Sequence, residues 1–177
     1  MYELFVLGEL SDGQMHGYLL HEILTHVLGP ERPISWGTFY PTLKRLLAQG
    51  LIAQVPQTDK DRRRKVYAIT GAGRARFGQL MARPLQTTGN VEEMFRIKLS
   101  KFHLVDSRTQ EEIVRQYHAY LKGRLDGLQA NRERVMRTES IAVEERPDIL
   151  RTMAYDREVF RARLTWVEHQ IKGGGTP

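Results

Sequence analysis

A series of breaks cuts the first 82 residues into pieces too short for anything but small helices and strands. SDGQ at 11–14, Gly29-Pro30, Gly50, the polar run PQTDKDRRR at 56–64 and Thr70 are all residues that stop or cap elements. Before the first break, YELFVLGEL is apolar at 2, 4, 5, 6, 7 and 10, which predicts a short, largely buried helix. From His16, apolar Tyr18, Leu19, Leu20, Ile23, Leu24, Val27 and Leu28 recur at three-and-four spacing until Gly29-Pro30 ends them. A third helix runs through SWGTFYPTLKRLLAQG, residues 35–50. LIAQV and KVYAIT then alternate and are rich in β-branched and aromatic residues, so they predict a hairpin whose long tip is PQTDKDRRR. Thr70 caps a helix from Gly71 to Met81. Three helices, a hairpin and a helix, in that order, are the elements of a winged helix-turn-helix.

The third helix carries the functional signal. Phe39, Leu43, Leu46 and Leu47 form its inward stripe, and Ser35, Thr38, Thr42, Arg45 and Gln49 fall on another line at helical spacing. Those outward side chains donate and accept at base edges and phosphates, as a helix in a major groove must. Pro41 fits two registers: with Ser35 as cap it removes one intrahelical bond, and with Thr38 as cap it sits harmlessly in the first turn. Trp36 and Phe39 are expected to be packing residues. Charge agrees with this reading. The chain is +6 overall with a pI near 9.7. Residues 32–76 hold ten bases against Asp59 and Asp61, a local charge of +8, whereas residues 1–31 hold five acids and no base. Positive charge gathered in one segment is what a phosphate-backbone binder shows. Arg62, Arg63, Arg64 and Lys65 stand at the hairpin tip, within reach of a neighbouring backbone or minor groove, and the Tyr18 and Tyr40 hydroxyls can bond phosphates.

RPLQTTGN, 83–90, reads as a linker between a domain at 1–82 and a helical one at 91–172, with 173–177 as a frayed tail. VEEMFRIKLSKF predicts a short helix, and a long one follows, opened by Asp106 or Ser107, with Ile113, Tyr117, Tyr120, Leu121, Leu128 and Val135 on one stripe. After Pro147 a last helix carries Ile149, Met153, Phe160, Leu164, Val167 and Ile171. Two such stripes pair with each other or with a second chain.

In order, GELSDGQMHGYLLHEIL, GTFYPTLKRLLAQGLI and RRKVYAITGAGRARF resemble the three signature segments of the PadR family of transcriptional regulators, over roughly the first 80 residues. The long C-terminal part ending in LTWVEHQI resembles the larger PadR subfamily, which includes phenolic-acid-responsive repressors. The resemblance implies a homodimeric winged helix-turn-helix repressor on a near-palindromic operator, released by a small inducer. It places DNA contacts at Tyr18, Ser35, Thr38, Tyr40, Pro41 and Lys44, beside the basic wing; Thr42 and Arg45 join them from the helical stripe. The dimer contact is expected at Leu4, Tyr117, Leu121, Leu128, Phe160, Leu164 and Val167. An aromatic inducer is expected near His118, Arg151, Tyr155 and Trp166.

Other chemistries find little purchase. HEILTH at 21–26 spaces its histidines five apart, about 140° around a helix, so they cannot share one ion. GAGRARFG has Arg76 where a dinucleotide fingerprint needs its third glycine. No serine sits in a nucleophile elbow, so no enzyme and no cofactor is expected. Lack of cysteine and of a long apolar run points to a cytoplasmic protein. The rival reading is a helical adaptor whose basic wing holds an acidic protein.

Overall fold

In the computed structural model, residues 1–29, 34–56, 65–86 and 89–173 are described. The elements are α1 (Tyr2–Asp12), β1 (Met15–His16), α2 (Gly17–Leu28), α3 (Trp36–Ala48), β2 (Ile52–Val55), β3 (Val66–Ile69), α4 (Gly71–Ala82), α5 (Val91–Leu99), a 3-10 turn (Phe102–Leu104), α6 (Ser107–Arg137) and α7 (Arg146–Ile171). They gather into two compact units, Met1–Gln110 and Glu111–Pro177. Among the described residues no helix is long and apolar enough to cross a membrane.

The first unit is a three-helix core with a small sheet. Every residue of α1 from Leu4 to Leu10 is buried, and Leu20, Leu24, Phe39, Leu43, Leu46 and Ile52 join them with essentially no exposed surface. β2 and β3 form the expected antiparallel hairpin, Ile52 opposite Ile69 and Val55 opposite Val66. A third strand was not foreseen: Met15 and His16 pair with Tyr67 and Val66, giving the order β1-β3-β2. Two residues are too few to show a period-two pattern, and they follow a break that reads as a turn.

α5 differs from the sequence expectation, which grouped residue 91 onward with the later helices. It packs on α2 and α1 within the first unit, burying Val91, Phe95, Ile97 and Lys98. Lys98 is 1% exposed and its ammonium donates to the carbonyls of Met81, at 2.8 Å, and Arg83, at the end of α4. Burial pulls its pKa down to about 8. Lys101 is also buried, but between two carboxylates, Glu9 at 2.9 Å and Asp12 at 2.8 Å.

In the second unit α6 and α7 run antiparallel. Contacts descend one helix as they climb the other: His118 to Glu168 at 3.7 Å, the Arg124 guanidinium 4.9 Å over the Phe160 ring, and Arg146 Nη2 donating to Thr138 O at 3.0 Å. Asp106 caps α6, accepting from Thr109 N–H at 2.7 Å, and these hydrogen bonds hold its carboxyl below the usual range. Pro147 lies in the first turn of α7, where a missing N–H costs nothing.

Candidate nucleic-acid interface

Ser35 is the cap of α3. Its backbone is extended, and its Oγ accepts from Thr38 N–H at 3.2 Å while lying 2.9 Å from Thr38 Oγ1. Pro41 therefore stands in the second turn, and without its N–H the Gly37 carbonyl receives no bond from four residues on. At the other end Gly50 takes φ +66°, its N–H donates to Leu47 O and Leu51 N–H to Leu46 O, each at 3.0 Å. This is the double bond pattern of a glycine-terminated helix. Thr70 then ties the corner together. Its hydroxyl lies 2.8 Å from Gly50 O and 3.0 Å from Leu51 O, and it accepts from Gly73 N–H at 3.0 Å to start α4.

The outward face of α3 is turned from the one the sequence indicated. Thr42 is buried rather than presented, because it lies about 60° from Phe39 and about 40° from Leu46 around the helix, inside the apolar arc. Lys44, about 140° from Phe39, is on the exposed side with Tyr40, Pro41 and Thr38. Lys44 Nζ sits 4.9 Å over the Tyr40 ring, so the two form one cationic–aromatic projection. Arg45 is exposed but drawn toward Glu3 of α1, at 3.5 Å, an acid that also holds Arg76 at 2.7 Å.

α2 contributes through His16-Gly17-Tyr18. His16 Nδ1 accepts from Leu19 N–H at 3.0 Å, an imidazole acting as cap, and Gly17 lets the turn pass close to Leu43 and Tyr67. Tyr18 is thereby held out at the start of α2, 66% exposed. Tyr67 is buried beneath, its phenol pKa raised by burial and by Tyr40. Between them lies a concavity of about 630 Å³ lined by His16, Tyr18, Glu22, Trp36, Tyr40 and Lys65, among others. Trp36, expected to be packing, is 43% exposed. Phe39 is fully buried as expected. Arg62, Arg63 and Arg64 lie outside the described residues, as do Pro30, the rest of the tip at 57–64 and the tail at 174–177.

The remaining expected positions fall differently. Leu4, Tyr117, Leu121, Phe160 and Val167 are buried within the single chain, at 8% exposure or less, so they have little surface to offer a second copy. Leu128 and Leu164 stay half-buried. Sequence periodicity selects residues that face an apolar partner and cannot say whether that partner is the same chain; Met136 and Val143 were missed and are exposed, and Ile171, expected on the α7 stripe, is exposed as well. Of the four ligand residues, Arg151 and Trp166 lie fifteen apart on α7, about 22 Å, and so cannot hold one small molecule in one chain. A 210 Å³ cavity between α6 and α7, walled by Leu125, Gln129, Leu150, Met153 and Arg157, includes none of the four.

Residues 6–79 match the model of the Transcriptional regulator PadR-like family. Over 73 residues the chain is 40% identical to the Transcriptional regulator Rv3488 of Mycobacterium tuberculosis, a stretch that takes in 41% of this chain and 64% of that relative's length. The solved structures it resembles include Bacillus subtilis PadR in complex with operator DNA, at 20% identity over 96% of each chain and a TM-score of 0.44. The same protein in complex with p-coumaric acid gives 20% identity over 96% of this chain and 92% of that one, with a TM-score of 0.41. The likeness to the Transcriptional regulator PadR-like family thus spans the segment from α1 to α4 that carries the candidate interface.

Proposed function

We propose that the protein is a sequence-specific DNA-binding transcriptional regulator, a homodimeric repressor that leaves a near-palindromic operator when a small aromatic ligand binds. The observation that carries this reading is the exposed side of α3, where Ser35, Thr38, Tyr40, Pro41 and Lys44 project from a helix whose other side is sealed in the core. Such a helix has its anchoring and its reading functions on opposite faces. Tyr18 and Lys65 extend the same surface, and Arg62, Arg63 and Arg64 belong to the proposed wing contact.

Dimerisation is supported by what the second unit leaves uncovered. Met136, Val143, Tyr155, Trp166 and Ile171 are each 42% exposed or more, too much apolar surface for a two-helix hairpin standing alone. The dimer contact is therefore proposed at these residues with Leu128 and Leu164. The ligand proposal narrows to His118 and Trp166, near the end of the hairpin where His118 meets Glu168.

Fluorescence anisotropy tests the reading. The protein is titrated onto duplexes from upstream of its own and neighbouring genes, and onto a scrambled duplex, across a salt series. Tight, selective binding whose logarithm falls steeply with log salt is expected. Equal, weak binding to both duplexes at every salt concentration refutes it.

A further inference from the structure

We infer that Trp36 is a further DNA contact, its indole N–H donating to a backbone phosphate beside the groove that α3 enters. This rests on the DNA-binding reading above and adds a residue to it.

Trp36 is the first residue of α3, directly after the Ser35 cap, and nearly half its surface is open. An exposed tryptophan is ordinarily free to turn, but this one is fixed. Its ring lies 4.2 Å from His21 with the planes 13° apart, and it meets Phe39 edge-on at 6.1 Å. His21 is itself locked, its Nε2 2.6 Å from Ile34 O, and it also meets Phe39 edge-on, at 5.5 Å. Two ring contacts, one of them to a histidine that is itself locked, thus hold a rigid, half-open ring in place before any partner arrives, which lowers the ordering cost of binding.

The indole nitrogen is a donor only, and no described residue bonds it. What would cover it must supply an acceptor. The surroundings favour an anionic one: Lys65 lines the same concavity, Lys44 stands at its edge over Tyr40, and Tyr18 stacks 6.2 Å from the indole with its phenol exposed. Glu22 is the acid on this rim, one against two lysines. Position around the helix separates phosphate from base. Trp36 lies about 80° from Lys44, toward α2, on the flank of the outward face. A flank residue of a groove-bound helix faces the strand that walls the groove, whereas the centre of the face meets base edges.

The chain has two tryptophans, so emission is compared between the parent and Trp36→Phe, which retains Trp166, and the difference between them is the signal of Trp36. Emission is recorded while operator duplex is added, with anisotropy of labelled DNA measured in parallel. The expected result is a change in Trp36 emission that saturates with binding. Trp36→Phe, which keeps the ring stack and removes the donor, is expected to weaken operator and scrambled duplex alike by roughly ten-fold. The log–log salt slope should stay unchanged, because no phosphate charge is neutralised. Unchanged emission in a bound complex, full affinity of Trp36→Phe, or a loss confined to one sequence each overturns the inference while leaving DNA binding intact. A parent protein that binds no duplex overturns both.

Discussion

Gly73 stands where no other residue fits. A methyl group at this position would lie 2.0 Å from the Leu51 carbonyl oxygen and 2.7 Å from Ile69 Cγ1. Relieving the first contact requires a backbone shift of about 1 Å or more, since real methyl–oxygen contacts lie near 3.2 Å or beyond. Leu51 O cannot yield freely. It accepts from Thr70 N–H at 3.1 Å and lies 3.0 Å from the Thr70 hydroxyl that caps α4. Gly73→Ala should therefore cost about 1–3 kcal/mol of overpacking and about 1 kcal/mol for each of two weakened hydrogen bonds. Against these stands the about 1 kcal/mol by which alanine exceeds glycine in a helix. The net is about 3 kcal/mol, which for a chain of 177 residues lowers Tm by about 10 °C. Melts followed by circular dichroism, with urea unfolding alongside, give the comparison. Gly78→Ala is the control: nothing lies within 4 Å of the added carbon, and the variant should match or exceed the parent. A Gly73→Ala protein melting within 2 °C of the parent, on the order of 1 kcal/mol or less, would refute the argument from close approach.

Lys98 makes stability depend on alkaline pH. Its folded pKa of about 8 lies below the roughly 10.4 of an unfolded lysine, so between these values the unfolded chain binds the extra proton. Stability should rise across that window by up to about 1.4 kcal/mol per pH unit, read as urea midpoints between pH 7.5 and 9.5, clear of the Tyr67 phenol; Lys98→Met should flatten the profile. Lys101→Met strands the Glu9 carboxylate in the core and should cost roughly 3–5 kcal/mol in urea unfolding, much more than the same change at exposed Lys172. Ser35→Ala should lower stability by about 1 kcal/mol and weaken DNA binding, with Ser35→Asp recovering the stability alone. Lys44→Ala should reduce the log–log salt slope by about one, while Thr42→Ala, buried, should leave that slope unchanged and act only on stability.

Elements announced by local chemistry were legible in advance. Thr70, Gly50 and Gly29 mark boundaries through bonds to residues a few positions away, and the structure uses each of them. Ser35 against Thr38 was undecidable, since either hydroxyl is three residues from a helical N–H; the fold chose Ser35. The α3 stripe misled because a threonine at the edge of an apolar arc has the same spacing whether the arc ends before it or after it. Burial of Thr42 is set by what packs on that edge, which spacing does not record. Trp36 was taken for a packing residue because a helix that reads duplex DNA rarely needs an exposed aromatic, yet its outer side is open. Nothing in the sequence forecast that Lys98, outwardly a surface lysine, would sit on the carbonyls ending α4. Such long-range pairings join residues 15 or more apart, beyond the reach of periodicity.

The corner formed by Gly50, Leu51 and Thr70 carries a consequence for control. One set of bonds ends α3, starts the strand into the wing and caps α4, so none of the three can be re-aimed while the others stay still. The reading head is thus a single stamped part. On the proposed reading as a ligand-released dimer, a signal would carry the corner away whole, by altering the spacing or tilt at which two copies are presented, because the bonds among its described residues leave no joint between α3, β2 and α4.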